Sequence, residues 1–396
     1  MQRNIVEFLD LGLQPFANKF TKIKDFKKKE KKYNLKVCFN KRNYLVSIKK
    51  PFSSKKMFDD KYPYRSSMSK AVKKSFFELS KKIKKEIKPK RILEIGSNDG
   101  SFMQNFNKKI VVGVEPCKNV EKITKRKKFS TYSKYWDNKT AKFLKKKYKN
   151  FDLVFSANTI SHIKDLDNVF KNIKSVLSEK GTLIIEDPSL LECLKKNTYD
   201  QFYNEHIYVF SCLALNEVLK QNGLEIYKVD NIKLHGGSNR YYIRKIDSKK
   251  KIDKSFKIEL RKEYKFKLNI LSTYLNFKNR VQKSKKQLIK IFTKILKTKS
   301  KIIGYGATAK STTVLNYCKL NHKHISYFLD TTPDKQNRLT PGTKIIVKKY
   351  KNGINDDIKY AFLGAWNFKE EIFKKEKKFR KRGGKFIVHT PYPKVI

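Results

Sequence analysis

Apolar positions along this chain fall into two rhythms. Between Ser69 and Ile87, Ala71, Val72, Phe76, Leu79 and Ile83 recur at helical spacing, which predicts an amphipathic helix. Short apolar runs then appear at Arg91–Ile95, Ile110–Val114, Asp152–Ser156 and Thr182–Ile185, with helical intervals such as Leu166–Leu177 between them. Buried strands alternating with helices predict a parallel sheet covered on both faces. The alternation restarts at Ile302–Ile303, passes through a helix to about Cys318 and reaches a strand at Ile325–Leu329. Upstream, Leu35–Phe39 and Tyr44–Ile48 read as strands. Between the two units, Phe256, Leu260, Tyr264, Leu268, Leu271 and Leu275 step at helical spacing, and the lysine-rich stretch 250–299 is read as one long solvated spacer helix.

The expected fold class is α/β: two Rossmann-like doubly wound sheets in tandem with a small N-terminal domain. The predicted divisions are 1–68, a central domain 69–250, a linker helix 251–299 and a C-terminal domain 300–396. Composition adds a formal charge of +58, from 94 basic and 36 acidic side chains. Such an excess normally points to polyanions. Only about a dozen of these cations are arginines, and the lysines are spread along the chain. A solvated background is therefore preferred to a nucleic-acid surface, and an anionic small substrate stays compatible. Five scattered cysteines with no C-x-x-C pair argue against a disulfide framework and suggest a reducing compartment. Charges within Met1–Asp10 disfavour a signal peptide, and no stretch approaches the ~18 apolar residues of a membrane span. A cytoplasmic protein is expected.

Candidate chemistry gathers at strand ends. The first unit reads strand, Glu94-Ile95-Gly96-Ser97-Asn98-Asp99-Gly100, helix, strand, Glu115-Pro116. Glycines let the backbone turn sharply beside a ligand, and an acid closing the next strand can take both ribose hydroxyls. That spacing serves both NAD and S-adenosylmethionine. The incomplete G-x-G-x-x-G and the anionic Asp99, which would repel a pyrophosphate, favour the sulfonium donor, with Glu94 placed to reach its ammonium or sugar. The second unit, Gly304-Tyr305-Gly306-Ala307-Thr308-Ala309 with Asp330, is either a dinucleotide fingerprint or a copy kept for packing. Tyr203, Glu205 and His206 fall within four residues. An imidazole beside a carboxylate suits proton removal, which methylation at carbon requires. Asn158 and His162, just past Asp152–Ser156, are expected to border the adenosine and the substrate. His235-Gly236-Gly237-Ser238-Asn239-Arg240 reads either as an anion site using Arg240 or as a hairpin turn.

These motifs resemble the sugar C-methyltransferases that act on nucleotide-linked deoxysugars. The likeness spans nearly the whole chain: Leu9–Asn18, Tyr62–Ser67, Leu93–Gly100, Gly113–Pro116, Tyr203–His206, His235–Ser238, Gly304–Lys310, Asn316–Cys318, Pro341–Thr343 and Trp366-Asn367. The resemblance implies an S-adenosylmethionine-binding central domain and a C-terminal domain of similar architecture, with the substrate in the cleft between them. It implies His206 as the base removing a proton next to a ketone. It also implies Tyr203, Glu205, His162 and a tyrosine of the Tyr62/Tyr64 pair as groups that orient the sugar and stabilise its enolate. One departure concerns metal. The family's small domain usually binds zinc through four cysteines, of which this chain retains Cys38, with Lys41 where its partner is expected; no zinc is anticipated. The competing readings are an O- or N-methyltransferase, an RNA-binding or RNA-modifying protein, and a nucleotide-sugar binder without catalysis. The sugar, the carbon and the oligomeric state are not legible.

Overall fold

The computed structural model describes residues 4–396; the first three residues of the predicted N-terminal domain lie outside the described residues. Three sheets organise them. The central sheet has seven strands in the order Leu224–Ile232, Ser238–Lys245, Leu177–Pro188, Phe151–Ala157, Ile92–Ile95, Val111–Val114 and Ser130–Tyr132. Its last five strands run parallel, and Ser238–Lys245 enters antiparallel between Leu177–Pro188 and Leu224–Ile232. Ile92–Ile95 is all apolar except Glu94 and buried throughout, as a strand covered on both faces must be. The chain leaves it first towards Val111–Val114 and later returns to its other side as Phe151–Ala157. The strand order thus reverses at the carboxyl end of Ile92–Ile95, where open α/β sheets form their ligand crevice.

A second, eight-stranded sheet repeats the arrangement. Ile302–Tyr305 lies between Phe328–Asp330 and Tyr360–Leu363, parallel to both, so a second reversal falls at Gly306. This sheet is completed from the far end of the chain: Thr21–Lys22 pairs antiparallel with Arg338–Leu339. Gln14 Nε2 donates to the Thr313 carbonyl, and Gly342 N–H donates to Glu30 Oε2 at 2.7 Å. The small N-terminal sheet (Ile5–Gln14, Tyr33–Asn40, Val46–Ile48) likewise borrows Tyr208–Val209 from the central region. Among the described residues no helix is long and apolar enough to cross a membrane, and no group of three or more His, Cys, Asp or Glu is placed to hold a metal ion.

The spacer reading of 251–299 is corrected. Two helices occupy it, Lys254–Lys265 and Leu271–Lys297, with Lys267 at φ +59° in the break between them. The longer helix buries Tyr274, Phe277, Val281, Leu288, Phe292 and Ile295 in the largest apolar cluster, shared with the N-terminal sheet and the eight-stranded sheet. Lysine-rich flanks concealed that stripe: the cations occupy the solvent face, and the apolar face packs. Phe277 is fully buried with its ring 6.2 Å from that of Phe202. Phe277→Ala is expected to cost about 3–5 kcal/mol in denaturant unfolding, whereas a solvated spacer would lose less than ~0.5 kcal/mol.

Candidate active site

Gly96 closes the central strand at φ +75°, and a Cβ there would sit 2.0 Å from Thr159 Oγ1, so only glycine lets the loop pass this close. The turn is fixed by Glu115, which ends Val111–Val114. Its Oε2 accepts from Asn98 N–H and its Oε1 from Cys117 N–H, each at 2.9 Å. Burial raises the carboxyl above its ordinary range, and the two backbone donors pull it down again. Each oxygen keeps a lone pair for a second donor.

Residues 60–67 are strapped across this loop. Ser66 N–H donates to Asn98 Oδ1 and Ser67 N–H to Asp99 Oδ2, while Asn98 Nδ2 donates to the Tyr64 carbonyl and Asn119 Nδ2 to that of Tyr62. Beneath the strap is a cleft of about 920 Å³, walled by Phe58, Tyr62, Tyr64, Gly96, Asn98, Glu115, Pro116, Asn158, His162 and Glu186, among others. Asp99 and Gly100 do not line it; Asp99 is taken up by Ser67 and Ser101. Glu94 is a correction: strand alternation turns its side chain away from the cleft into the core beside Met103. Burial first, then the neighbouring Asp99 and Glu115, raise its pKa well above the carboxylate range. A carboxyl enclosed in the core and turned from the cleft is out of reach of a ligand's ammonium. Glu186, passed over in the sequence, does line the cleft. Its Oε2 pairs with Arg240 Nε at 2.6 Å and its Oε1 is buried without a partner. It ends a strand like Glu115, and that rule would have found it. Arg240 is thereby committed, so the His235–Arg240 segment is a hairpin turn and not an anion site.

A second cleft of about 1600 Å³ opens between the central sheet and the C-terminal sheet. Tyr62, Tyr64, Asn158, His162 and His235 line both clefts, so the two meet along these five side chains. His206 and Tyr203 face the second, with Tyr203 Oη 2.5 Å from His206 Nε2. Either atom of that pair can be the donor, depending on which ring nitrogen carries the proton; the nearby Gln201 carbonyl favours the protonated ring, against burial. Burial foremost, then the neighbouring His162 ring and the Lys310 ammonium, push His206 well below the usual imidazole range. His162 stacks between Phe58 (5.3 Å) and His206 (5.1 Å), its Nε2 has no partner, and burial lowers it to about 3. Both rings are therefore neutral.

Glu205 does not touch His206. The turn carrying the tetrad Tyr203-Asn204-Glu205-His206 points alternate side chains apart, and the Glu205 carboxylate accepts from Asn18 Nδ2 (2.9 Å) and Tyr62 Oη (3.2 Å); burial raises it to about 7. The expected carboxylate–imidazole pair is absent, and the side chain hydrogen-bonded to the His206 ring is Tyr203. On the facing wall, Asp330 accepts from Ala307 N–H (2.8 Å) and Lys335 pairs with it at 3.7 Å. Lys310, Lys335, Lys375 and Arg65 line this cleft against Asp330 and Glu371.

Family models match two adjoining stretches: one described as a methyltransferase domain over residues 64–229, and one as a C-methyltransferase C-terminal domain over residues 233–391. The curated C-methyltransferase NovU of Streptomyces niveus is 27% identical over 307 residues, covering 77% of this chain and 73% of that protein. Solved structures that match include a Thermotoga maritima SAM-dependent methyltransferase, described as a possible histamine N-methyltransferase. It is 20% identical with TM-score 0.34, covering 44% of this chain and 89% of that one. Magnesium protoporphyrin IX methyltransferase of Synechocystis with bound SAM also matches, 10% identical with TM-score 0.32, covering 43% and 79%.

Proposed function

Since this chain is an S-adenosylmethionine-dependent C-methyltransferase, joining a methyltransferase domain to the C-methyltransferase C-terminal domain, we propose that its acceptor is a nucleotide-linked keto-deoxysugar and that His206 supplies the base. The observation that carries this reading is the junction of the two clefts: His162 stands in both, and His206 stacks on it from the acceptor side.

The donor cleft fits S-adenosylmethionine on its own chemistry. Glu115 offers one free lone pair per oxygen to the ribose hydroxyls, Asn158 borders the adenosine, and the unpartnered Glu186 Oε1 suits a cationic end. When bound, the donor supplies an electrophilic methyl group on sulfur. The acceptor cleft suits an anionic sugar nucleotide. Its cations outnumber its carboxylates, and the capped amino end of the helix Ala309–Tyr317 opens onto it, where backbone N–H groups favour phosphate.

Tyr203 and His206 act as one unit. The proton leaving the carbon beside the ketone is received by this pair, and its charge is shared across the Oη···Nε2 hydrogen bond. His162, Tyr62 and Tyr64 orient the sugar at the junction, and Glu205 keeps Tyr62 aimed. Because both rings are buried and neutral before substrate enters, no proton need be cleared first. Aligning carbon with methyl group supplies most of the remaining acceleration.

The test is to incubate the protein with methyl-labelled donor and a panel of nucleotide-linked keto-sugars, then locate the label. Label on a carbon adjacent to the ketone is the expected result. Label on oxygen or nitrogen, or on none of the panel, overturns the reading.

A further inference from the structure

Lys310 stands on the first turn of the helix Ala309–Tyr317, in the acceptor cleft wall opposite the tetrad, and only 8% of it is exposed. A buried ammonium with no paired carboxylate is costly, yet among the described residues Lys310 forms no ion pair, unlike its neighbour Lys335. Its Nζ donates to the His235 carbonyl at 3.2 Å and lies 5.2 Å over the Trp366 ring. An ammonium has three donors, and this one bond leaves two without an acceptor.

The surroundings hold it in place. Asp200, fully buried, is the nearby negative charge. Its Oδ2 accepts from Trp366 Nε1 at 2.6 Å and lies 3.1 Å from His389 Nε2, so it is held by other groups and neutralises Lys310 only from a distance. Gln201 Nε2 donates to the same His235 carbonyl at 2.7 Å. Lys310 and Gln201 thus share one acceptor, and Gln201 stands two residues before Tyr203 in the chain.

We propose that the Lys310 ammonium binds the keto oxygen of the acceptor and stabilises the negative charge that gathers there as the Tyr203–His206 unit removes the neighbouring proton. The assignment rests on the C-methylation reading above. In the step, the carbon–hydrogen bond breaks, the proton goes to the Tyr203–His206 unit, and the electron pair moves onto the ketone oxygen. Such an enolate needs an electrophile aimed at the oxygen. Tyr203 is already hydrogen-bonded to His206 and Tyr62 donates to Glu205, so both of those hydroxyls are engaged.

Two variants test it, with S-adenosylhomocysteine present to fill the donor cleft. The readout is solvent deuterium entering the carbon beside the ketone, which reports proton removal without methyl transfer. Lys310→Met is expected to slow exchange and methylation together by about 10²–10³-fold, with S-adenosylhomocysteine affinity unchanged by calorimetry. Lys310→Arg adds a readout that a purely structural lysine would not move. Burial lowers Lys310 to about 8 although Asp200 and Cys193 raise it; His235, His206 and the Lys335–Asp330 pair face it, and Glu371 and Lys375 line the same cleft. Exchange should therefore fail as pH rises through that value in the parent, and the limb should move upward with a guanidinium that never titrates. Exchange by Lys310→Met within about threefold of the parent, or an alkaline limb unmoved in Lys310→Arg, overturns the assignment while leaving C-methylation intact. A parent that neither exchanges nor methylates any keto-sugar overturns both.

Discussion

Replacing His206 by asparagine is expected to slow methylation of the acceptor carbon by about 10²–10⁴-fold, the usual worth of a positioned base, without loss of donor affinity. The separation follows from the geometry: His206 faces the acceptor cleft alone, and no hydrogen bond joins it to the loop that holds the donor. Steady-state kinetics should show the loss in kcat and in kcat/KM alike. The pH profile carries a second sign. A base must be neutral to act, and burial keeps His206 neutral to well below the ordinary imidazole value. Lowering the pH from 8 towards 6 should therefore produce no acid limb from this residue, whereas an exposed histidine would lose activity as pH fell through ~6.5. Activity surviving in His206→Asn within a few-fold would point to chemistry at oxygen or nitrogen, where no carbon acid must ionise.

Glu115→Ala is expected to raise the dissociation constant for S-adenosylhomocysteine by about 10²-fold, since hydrogen bonds to a charged group contribute about 1.5–3 kcal/mol each. Two losses coincide. The ribose hydroxyls lose their acceptor, and the Asn98 and Cys117 N–H groups lose the carboxylate that fixes the turn. Calorimetry checks the affinity, and an unchanged constant would refute Glu115 as the ribose anchor. Glu94→Gln should be far milder, because its side chain does not reach the cleft and burial already disfavours its charged form.

The contrast between these two acids marks how far the sequence could be read. Strand–glycine–helix–strand–acid is a local pattern, so both reversal points and Glu115 were legible: backbone periodicity and a strand end determine where such groups point. Which face of a buried strand a side chain takes is also periodic, and alternation against Leu93 and Ile95 could have turned Glu94 inward. Glu205 was misjudged because nearness in sequence is not nearness in space. Its partners, Asn18 and Tyr62, lie 187 and 143 residues away. Arg240 was equally open until Glu186 and Ser75 claimed it. The segment 251–299 misled through composition, since its lysines mask a stripe that only tertiary partners reveal. Lys310 was quoted within a motif, but nothing local says that a lysine will be buried without a counter-ion.

The strand Thr21–Lys22, paired with Arg338–Leu339 at the far end of the chain, governs how the molecule can be made. Closing so long a loop is slow, because chain entropy is lost before any contact repays it. A nascent chain carries Thr21–Lys22 without this partner until residues 23–337 have been synthesised, although Ile5–Gln14 meets Tyr33–Asn40 early. Assembly of the last sheet is then a late event, and a ribosome stalled before residue 338 would release a chain in which Thr21–Lys22 has no strand to pair with.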